Sequence, residues 1–131
     1  MHEYFVKVYY EDTDSGGVVY YANYLKFIER ARTSLIQELG FSLLSLSKNF
    51  DSHFVVKNIK CDYIQSAKLE DELTVKTKIL NIKNASFQLE QNIFRNHKLI
   101  FQSIVLMVNI NSLGEPSKIP SSLFSVLSDN D

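Results

Sequence analysis

Residues 10–24 read Tyr-Glu-Asp-Thr-Asp-Ser-Gly-Gly-Val-Val-Tyr-Tyr-Ala-Asn-Tyr and bring acids, glycines and aromatics together in one short segment. The Asp, Thr and Ser side chains of residues 12–15 can bond nearby backbone N–H groups, and the Gly16-Gly17 pair tolerates positive φ, which predicts a turn. Asp14 lies shortly before a predicted helix whose first N–H groups have no partner within the helix. A carboxylate beside free N–H groups suits attack on a carbonyl. The same acids could instead hold the turn and cap the helix, and that role is assigned to Asp12.

Apolar periodicity predicts the secondary structure on both sides of this segment. Tyr4 to Tyr10 alternates in the manner of a strand. From about Ala22 to Leu39, apolar residues recur at helical spacing and Gly40 provides a stop, which predicts one long helix. After a Ser-rich loop, further strands are predicted over 54–64, 73–82, 87–93 and 99–110, the last two joined by Asn96-His97, with a short C-terminal helix from Pro120.

This order of elements predicts an α+β fold in which an antiparallel sheet curves around one central helix. The strand over 99–110 is apolar on both faces, so we expect a central strand that is covered on both sides. With 131 residues, of which 45% are hydrophobic and 22% charged, the chain has the size of a single domain, predicted to span residues 1–131.

Charge and composition exclude several classes of function. The net charge of −1 and the scattered Lys and Arg residues provide no basic stripe for nucleic acid. The one cysteine, Cys61, cannot form an internal disulfide, and the N-terminus lacks the pattern of a signal peptide. The longest apolar run, 104–108, is too short to span a bilayer. We therefore expect a cytoplasmic protein with at most peripheral membrane association.

Metal and histidine chemistry are not predicted either. The three histidines lie away from residues 10–24, and no spacing typical of metal ligands is present. Cys61 lies in an apolar strand, where core packing is the expected role. The sequence therefore predicts neither a metal nor a cofactor.

The spacing D-x-x-G-V-V-Y-x-x-x-Y that begins at Asp14 resembles the signature of the 4-hydroxybenzoyl-CoA thioesterase-like hotdog superfamily. The wider run from Tyr10 to Tyr24, together with Glu29-Arg30-Ala31-Arg32, looks like the YbgC-type branch of that superfamily. The resemblance covers Val6 to Leu39 and implies a hotdog fold, in which a five-stranded antiparallel sheet wraps around one long helix. It also implies hydrolysis of an acyl-CoA thioester to free coenzyme A and a carboxylic acid.

The resemblance assigns roles to single residues of this segment. Asp14 matches the catalytic carboxylate, which acts as a nucleophile or as a general base on water. Backbone N–H groups at the helix start, above all that of Tyr21 and also Gly17, would polarise the carbonyl oxygen. Tyr21 stands where the branch usually has histidine, a difference that matters only if the imidazole itself acts. The expected substrate pocket includes Val19, Tyr20 and Tyr24.

Two charges lie on the apolar side of the predicted helix. A helical wheel puts Arg32 near the middle of the apolar stripe and Glu29 at its edge. The residues alone favour an internal ion pair or a contact across a subunit interface. The family resemblance instead implies that Glu29 lines the acyl pocket, where it would orient water or contact a polar acyl group.

Coenzyme A carries phosphates, which require positive side chains near the pocket mouth. Lys60 and Lys83 are the candidates, and by analogy the turn around Lys83 can lie near the nucleotide; a solvated lysine is the alternative for each. Further positive charges are available at Lys57, Arg95 and Lys98. An exposed sheet edge and the family resemblance predict a homodimer with the active site at its interface, or a dimer-of-dimers tetramer.

The motif leaves two kinds of function open. YbgC-type proteins are implied to work beside the Tol-Pal system and phospholipid synthesis, so a non-catalytic or weakly catalytic partner of an acyl carrier protein or of the cell envelope is one alternative. Within the enzyme class, short aliphatic, hydroxybenzoyl and dihydroxynaphthoyl thioesters all fit the same motif. The sequence does not rank these substrates.

Overall fold

The computed structural model describes residues 1–130; Asp131, the last position of the predicted domain, lies outside the described residues. The described chain contains five strands and three α-helices. They are β1 (His2–Lys7), α1 (Asn23–Glu38), α2 (Leu43–Phe50), β2 (His53–Tyr63), β3 (Glu72–Leu80), β4 (Ser86–Arg95), β5 (Lys98–Ile110) and α3 (Ser121–Asp129). Within residues 1–130, no helix is long and apolar enough to cross a membrane.

All five strands form one antiparallel sheet in the order β1-β3-β4-β5-β2. The register aligns one row of inward-facing residues across the sheet: Tyr4, Val75, Ile93, Phe101 and Tyr63. This inner face packs against α1, which confirms the predicted α+β class and the hotdog arrangement. The β4–β5 hairpin turns at Asn96-His97, where both residues have positive φ, as a two-residue turn requires.

Helix α1 forms the centre of the fold because its apolar residues recur at spacings of three and four. Tyr24, Phe27, Ile28, Ala31 and Leu35 are all buried against the sheet. Gly40 follows the last turn with a φ of 95°, a conformation that glycine adopts without strain. The observed helix agrees with the predicted one to within a residue at each end.

Two predicted loop and strand assignments are wrong. The first strand ends at Lys7, not at Tyr10, because Asp12 accepts the Tyr9 N–H and turns the backbone away from the sheet. The Ser-rich loop contains the short helix α2. Its first turn is capped reciprocally by Ser42 and Ser45, each of which accepts the other's backbone N–H.

Strand β5 lies inside the sheet, but β4 is the central strand of the five. The inward side chains of β5 from Phe101 to Asn109 are buried, whereas Ile104, Leu106 and Val108 on the outer face are half-buried. The prediction of a central strand covered on both sides is therefore wrong for the single chain. The outer apolar residues that prompted it lie on a face of the sheet that no helix of residues 1–130 covers.

Candidate active site

Asp12 anchors the segment that leads into α1. Its side chain is buried, and its two carboxylate oxygens accept the Tyr9 N–H at 2.9 Å and the Asn23 side-chain amide at 3.0 Å. The Asp12 carbonyl also accepts the Tyr20 N–H at 2.9 Å. Asp12 thus ties the start of the segment to the first residue of α1, which agrees with its assignment to the turn.

Asp14 lies at the tip of the same segment and is exposed. Its Oδ1 accepts the Gly16 N–H at 2.8 Å, and its own N–H donates to the Val18 carbonyl at 2.9 Å. The turn therefore fixes the direction of the side chain through one oxygen. The other oxygen, Oδ2, makes no hydrogen bond to residues 1–130 and is free to act on a substrate or a water molecule.

Gly17 shapes this turn but does not offer a free donor. Its N–H donates to the Asp14 carbonyl at 3.1 Å, so the predicted use of Gly17 as a carbonyl-polarising group is not available in this conformation. Its φ of 80° lies in the left-handed region, where a side chain would cause strain. The sequence motif needs glycine here for the turn.

Tyr21 provides a free donor close to the start of α1. Its N–H makes no hydrogen bond to residues 1–130, and it lies two residues before α1 begins at Asn23. The N-terminus of a helix carries a partial positive charge from its aligned peptide dipoles. An oxygen that gains negative charge during a reaction would be stabilised at this position.

Tyr63, at the end of β2, orients the backbone of Tyr21. Its hydroxyl donates to the Tyr21 carbonyl at 3.0 Å, and its ring packs edge-on against Tyr24 and Phe101, with ring centres 5.4 and 5.2 Å away. Burial, followed by the neighbouring Cys61, raises the pKa of Tyr63 to about 12, so the hydroxyl keeps its proton. Strand alternation places Tyr63 on the inner face, but nothing in the sequence signals a partner 42 residues away.

Three tyrosines in the segment have different environments. Tyr20 and Tyr21 are exposed, with ring centres 4.9 Å apart, and can contact a ligand as predicted for Tyr20. Tyr24 is only 3% exposed, its ring stacks on Phe101, and its hydroxyl accepts the Ala67 N–H at 3.0 Å. Tyr24 is therefore part of the core in this chain and does not line an open pocket.

Val19 is also a core residue and not the pocket residue that was predicted. It is 4% exposed, and its N–H donates to the Ala67 carbonyl at 2.8 Å. The segment 65–71 therefore contacts the Asp14 segment through hydrogen bonds between Ala67 and both Val19 and Tyr24.

Arg95 fixes the position of segment 65–71, because it donates to the Ser66 carbonyl at 2.9 Å and to Asp71 at 3.0 Å. The guanidinium is therefore committed to the fold and is a poor candidate for phosphate.

Glu29 and Arg32 lie on α1, away from the Asp14 turn. Their predicted internal ion pair does not form within residues 1–130: the Glu29 carboxylate accepts the Thr33 hydroxyl at 2.9 Å, and Arg32 donates to Gln91 Oε1 at 3.0 Å. Glu29 is exposed at the mouth of a cavity that Arg32 also lines. From the start of α1 to Arg32 the helix rises about 14 Å, so this cavity is separate from the turn in a single chain.

The two predicted lysines, Lys60 and Lys83, lie at two separate places on the sheet. Lys60 pairs with Ile104 on the outer face of the sheet, opposite to the face that holds α1. Lys83 follows the far end of β3, about 30 Å from the end that pairs with β1 beside the turn. Within residues 1–130, no three His, Cys, Asp or Glu side chains come together as metal ligands.

Comparison with known proteins agrees with this geometry. Residues 16–100 match the family model of the thioesterase superfamily. The acyl-CoA thioesterase YbgC of Haemophilus influenzae is 45% identical over 76% of this chain and 74% of its own length. The acyl-CoA thioester hydrolase YbgC of Escherichia coli O6:H1 is 38% identical over 90% of this chain and 89% of its own.

The structural comparison points the same way. A gentisyl-coenzyme A thioesterase of known structure superimposes with a TM-score of 0.87 at 27% identity, covering 95% of this chain and 98% of that chain. Sequence, fold and the free carboxylate beside a helix start therefore agree. The chain belongs to the thioesterase superfamily and is a thioester hydrolase.

Proposed function

We propose that the protein hydrolyses the thioester bond of acyl-CoA, with a short-chain or aromatic acyl group, to free coenzyme A and a carboxylic acid. The observation that carries this proposal is that one short segment holds both Asp14 Oδ2 and the Tyr21 N–H, neither of which has a hydrogen-bond partner in residues 1–130. The names of the relatives support the substrate class, since two are acyl-CoA thioesterases and the third acts on gentisyl-coenzyme A.

The chemistry follows from the charges that develop during hydrolysis. The thioester carbonyl oxygen accepts the Tyr21 N–H, and the partial positive charge of the α1 N-terminus stabilises the oxygen as it becomes negative. The Asp14 carboxylate either forms the new C–O bond to the thioester carbon itself or activates the water that forms it. The C–S bond breaks, and the coenzyme A thiolate leaves without needing a dedicated acid, because a thiol is already a fairly strong acid.

Asp14 has two possible routes, which differ in whether the enzyme becomes acylated. As a nucleophile, Asp14 forms an acyl anhydride as the thiolate leaves, and water then cleaves the anhydride; as a base, it removes a proton from the water that attacks the thioester directly. In single-turnover hydrolysis in ¹⁸O-labelled water, label in the Asp14 carboxylate marks the nucleophilic route with water attacking the Asp14 carbonyl carbon. Label in the released acid alone fits both the base and an anhydride that water cleaves at its acyl carbon, and a burst of thiol release ahead of acid release then marks the nucleophilic route.

The test of the proposal is thiol release from a panel of acyl-CoA and acyl-carrier-protein thioesters. Asp14→Asn keeps the side-chain shape and the contact to Gly16, and we expect it to lower kcat by about 10²–10⁴-fold. Glu11→Gln, an exposed acid in the same segment, is the matched control and should retain activity. Full activity of Asp14→Asn would refute the role of Asp14. Absence of release from the whole panel would favour a non-catalytic acyl-carrier or envelope partner.

A second copy of the chain is part of the proposal. Strand β2 pairs only with β5, and Val55 and Val56 on it are 41% and 43% exposed, so one sheet edge is open to another strand. A dimer, or a tetramer of two dimers, would cover this edge and the outer apolar face of β5. Light scattering coupled to size exclusion should give a mass of at least two chains, and a single 15.1 kDa species would contradict it.

A further inference from the structure

Strand β1 forms one edge of the sheet and pairs only with β3. Where this pairing ends, the N–H and the carbonyl of Val8 both bond to residues 70–71, which lead into β3, each at 2.9 Å. Backbone groups of successive strand residues point to opposite sides, so those of Glu3, Phe5 and Lys7 point away from β3. No loop or side chain of residues 1–130 bonds to these groups, and the β1 edge is therefore open.

The open stretch of β1 is short and has Phe5 at its centre. The Tyr9 N–H, next in the alternation after Lys7, already donates to Asp12 at 2.9 Å, so the stretch covers residues 3–7. The Phe5 side chain is 73% exposed on the outer face of the sheet. Unpaired backbone groups beside an exposed aromatic ring form a template on which another strand can pair.

The sequence of this stretch, Glu-Tyr-Phe-Val-Lys, is self-complementary about its central residue. If two copies pair antiparallel with Phe5 opposite Phe5, Glu3 of each copy lies opposite Lys7 of the other. On the inner face, Tyr4 then lies opposite Val6. Opposite charges, two aromatic rings and an apolar pair are thus all matched, and cross-strand pairs of these kinds stabilise a sheet.

The two charges also continue a pattern that crosses the sheet. Within one chain, Glu3 pairs in register with Lys76, with their side chains 4.0 Å apart, and Lys7 pairs with Glu72. A second copy would place a lysine beyond Glu3 and a glutamate beyond Lys7, so the sign of the charge alternates from strand to strand. Edge charges protect a sheet when an incoming strand presents like charges to them. A second copy of this edge presents opposite ones.

We propose that the β1 edge binds the β1 edge of a second copy of this chain, antiparallel and with a two-fold axis at Phe5. The opposed residues exchange their backbone N–H and carbonyl bonds, as hydrogen-bonded pairs of an antiparallel ladder do. This contact uses the opposite edge of the sheet from β2. Together with pairing at β2 it joins dimers into tetramers or longer rows of chains, and it does not depend on the hydrolysis of acyl-CoA.

Charge reversal tests this contact. Lys7→Glu places like charges opposite each other at both outer pairs, and Glu3→Lys does the same with the opposite sign. We expect each variant to raise the dissociation constant of the contact at least about tenfold, and therefore to lower the mass that light scattering measures over a concentration series. Lys118→Glu, at an exposed lysine before α3, is the matched control and should keep the wild-type mass.

An equimolar mixture of the two charge variants separates the contact from damage within the chain. Each variant also places a like charge beside β3 of its own chain, so a lower mass alone could come from a weakened fold. In the mixture, opposite charges face each other again at both outer pairs, and the wild-type mass should return. A wild-type mass for both single variants, or a mixture that keeps their lower mass, overturns the proposal.

A disulfide cross-link locates the two-fold axis. In a Cys61→Ser background, Phe5→Cys places one thiol of each copy opposite the other, with Cα atoms about 5.5 Å apart, within the range of a disulfide. Glu3→Cys is the control, since position 3 of the two copies is separated by four residues, about 14 Å. With copper phenanthroline as the oxidant, linked dimers should form at position 5 and not at position 3. No cross-link at position 5, or equal yields at both positions, overturns the proposal.

Discussion

Replacement of Tyr63 by Phe tests whether the hydroxyl positions the carbonyl-polarising N–H. The change removes one oxygen and keeps the ring that packs on Tyr24 and Phe101. The lost hydrogen bond joins the Tyr63 hydroxyl to the Tyr21 carbonyl at 3.0 Å. Neutral hydrogen bonds contribute about 0.5–1.5 kcal/mol, and because Tyr63 is 45% exposed, water can replace part of this one.

We therefore expect the free energy of unfolding to fall by about 1 kcal/mol, which lowers Tm by about 4 °C for a chain of this size. The hydroxyl holds the peptide that follows Tyr21, so its loss lets the first N–H groups of the helix leave their reactive orientation. If the whole free energy of this hydrogen bond, about 1 kcal/mol, contributes to stabilising the transition state, kcat falls about fivefold while KM stays nearly constant. The fall should be equal for aliphatic and aromatic acyl groups, because the carbonyl is common to both.

The assay is thiol release under saturating acyl-CoA, with thermal unfolding measured on the same samples. Tyr4→Phe is the matched control, since Tyr4 lies half-buried on β1 and its hydroxyl makes no hydrogen bond to residues 1–130. A Tyr63→Phe variant with lower Tm and unchanged kcat would show that the bond stabilises the fold without positioning the donor. A change in KM alone, of a different size for each acyl group, would place Tyr63 in the acyl pocket and refute the reasoning.

Three further predictions concern the frame around the turn. Gly16→Ala should lower kcat a few-fold with little loss of stability, because its Cβ would lie 3.2 Å from Asp14 Oδ1 and displace the carboxylate. In Gly17→Ala the new Cβ meets no atom within 4 Å, but the φ of 80° at this position should lower the free energy of unfolding by about 1 kcal/mol. Arg95→Met should lower the free energy of unfolding by about 2 kcal/mol in urea titrations, since it frees the segment 65–71. The raised pKa of Tyr63, about 12, means that its contribution to stability is complete below pH 10 and is lost as the pH rises towards 12; Tyr63→Phe should remove that part of the pH dependence of unfolding.

The elements that the sequence predicts well are those whose signals are local and periodic. Helix α1 repeats apolar residues over four turns and ends at Gly40, and the Asn96-His97 turn joins two alternating strands. Helix α2 was missed because it buries only Leu46 and begins with a serine cap that also fits a loop. A short helix of this kind depends on its packing against the rest of the chain more than on its own residues.

The parts of the site that the sequence does not predict depend on contacts between distant positions. The side of the sheet that Lys60 occupies depends on the register of β2 against β5, which includes a shift between Val56 and Asn58. The hydrogen bond from Tyr63 to Tyr21 and the absence of an ion pair between Glu29 and Arg32 are likewise set by the packing of α1 on the sheet. No local pattern carries this information.

The two aspartates of the turn show how folding separates structural from chemical acids. Asp12 is buried, and both of its oxygens accept donors that join the segment to α1, so a change of its charge would loosen the frame. Asp14 is exposed and uses one oxygen to fix its direction, which leaves the other without a partner in residues 1–130. Spacing alone gives both residues the same chance of being catalytic. Because a general base or nucleophile needs a free lone pair and a fixed direction together, Asp14 is the acid of this turn that meets both requirements.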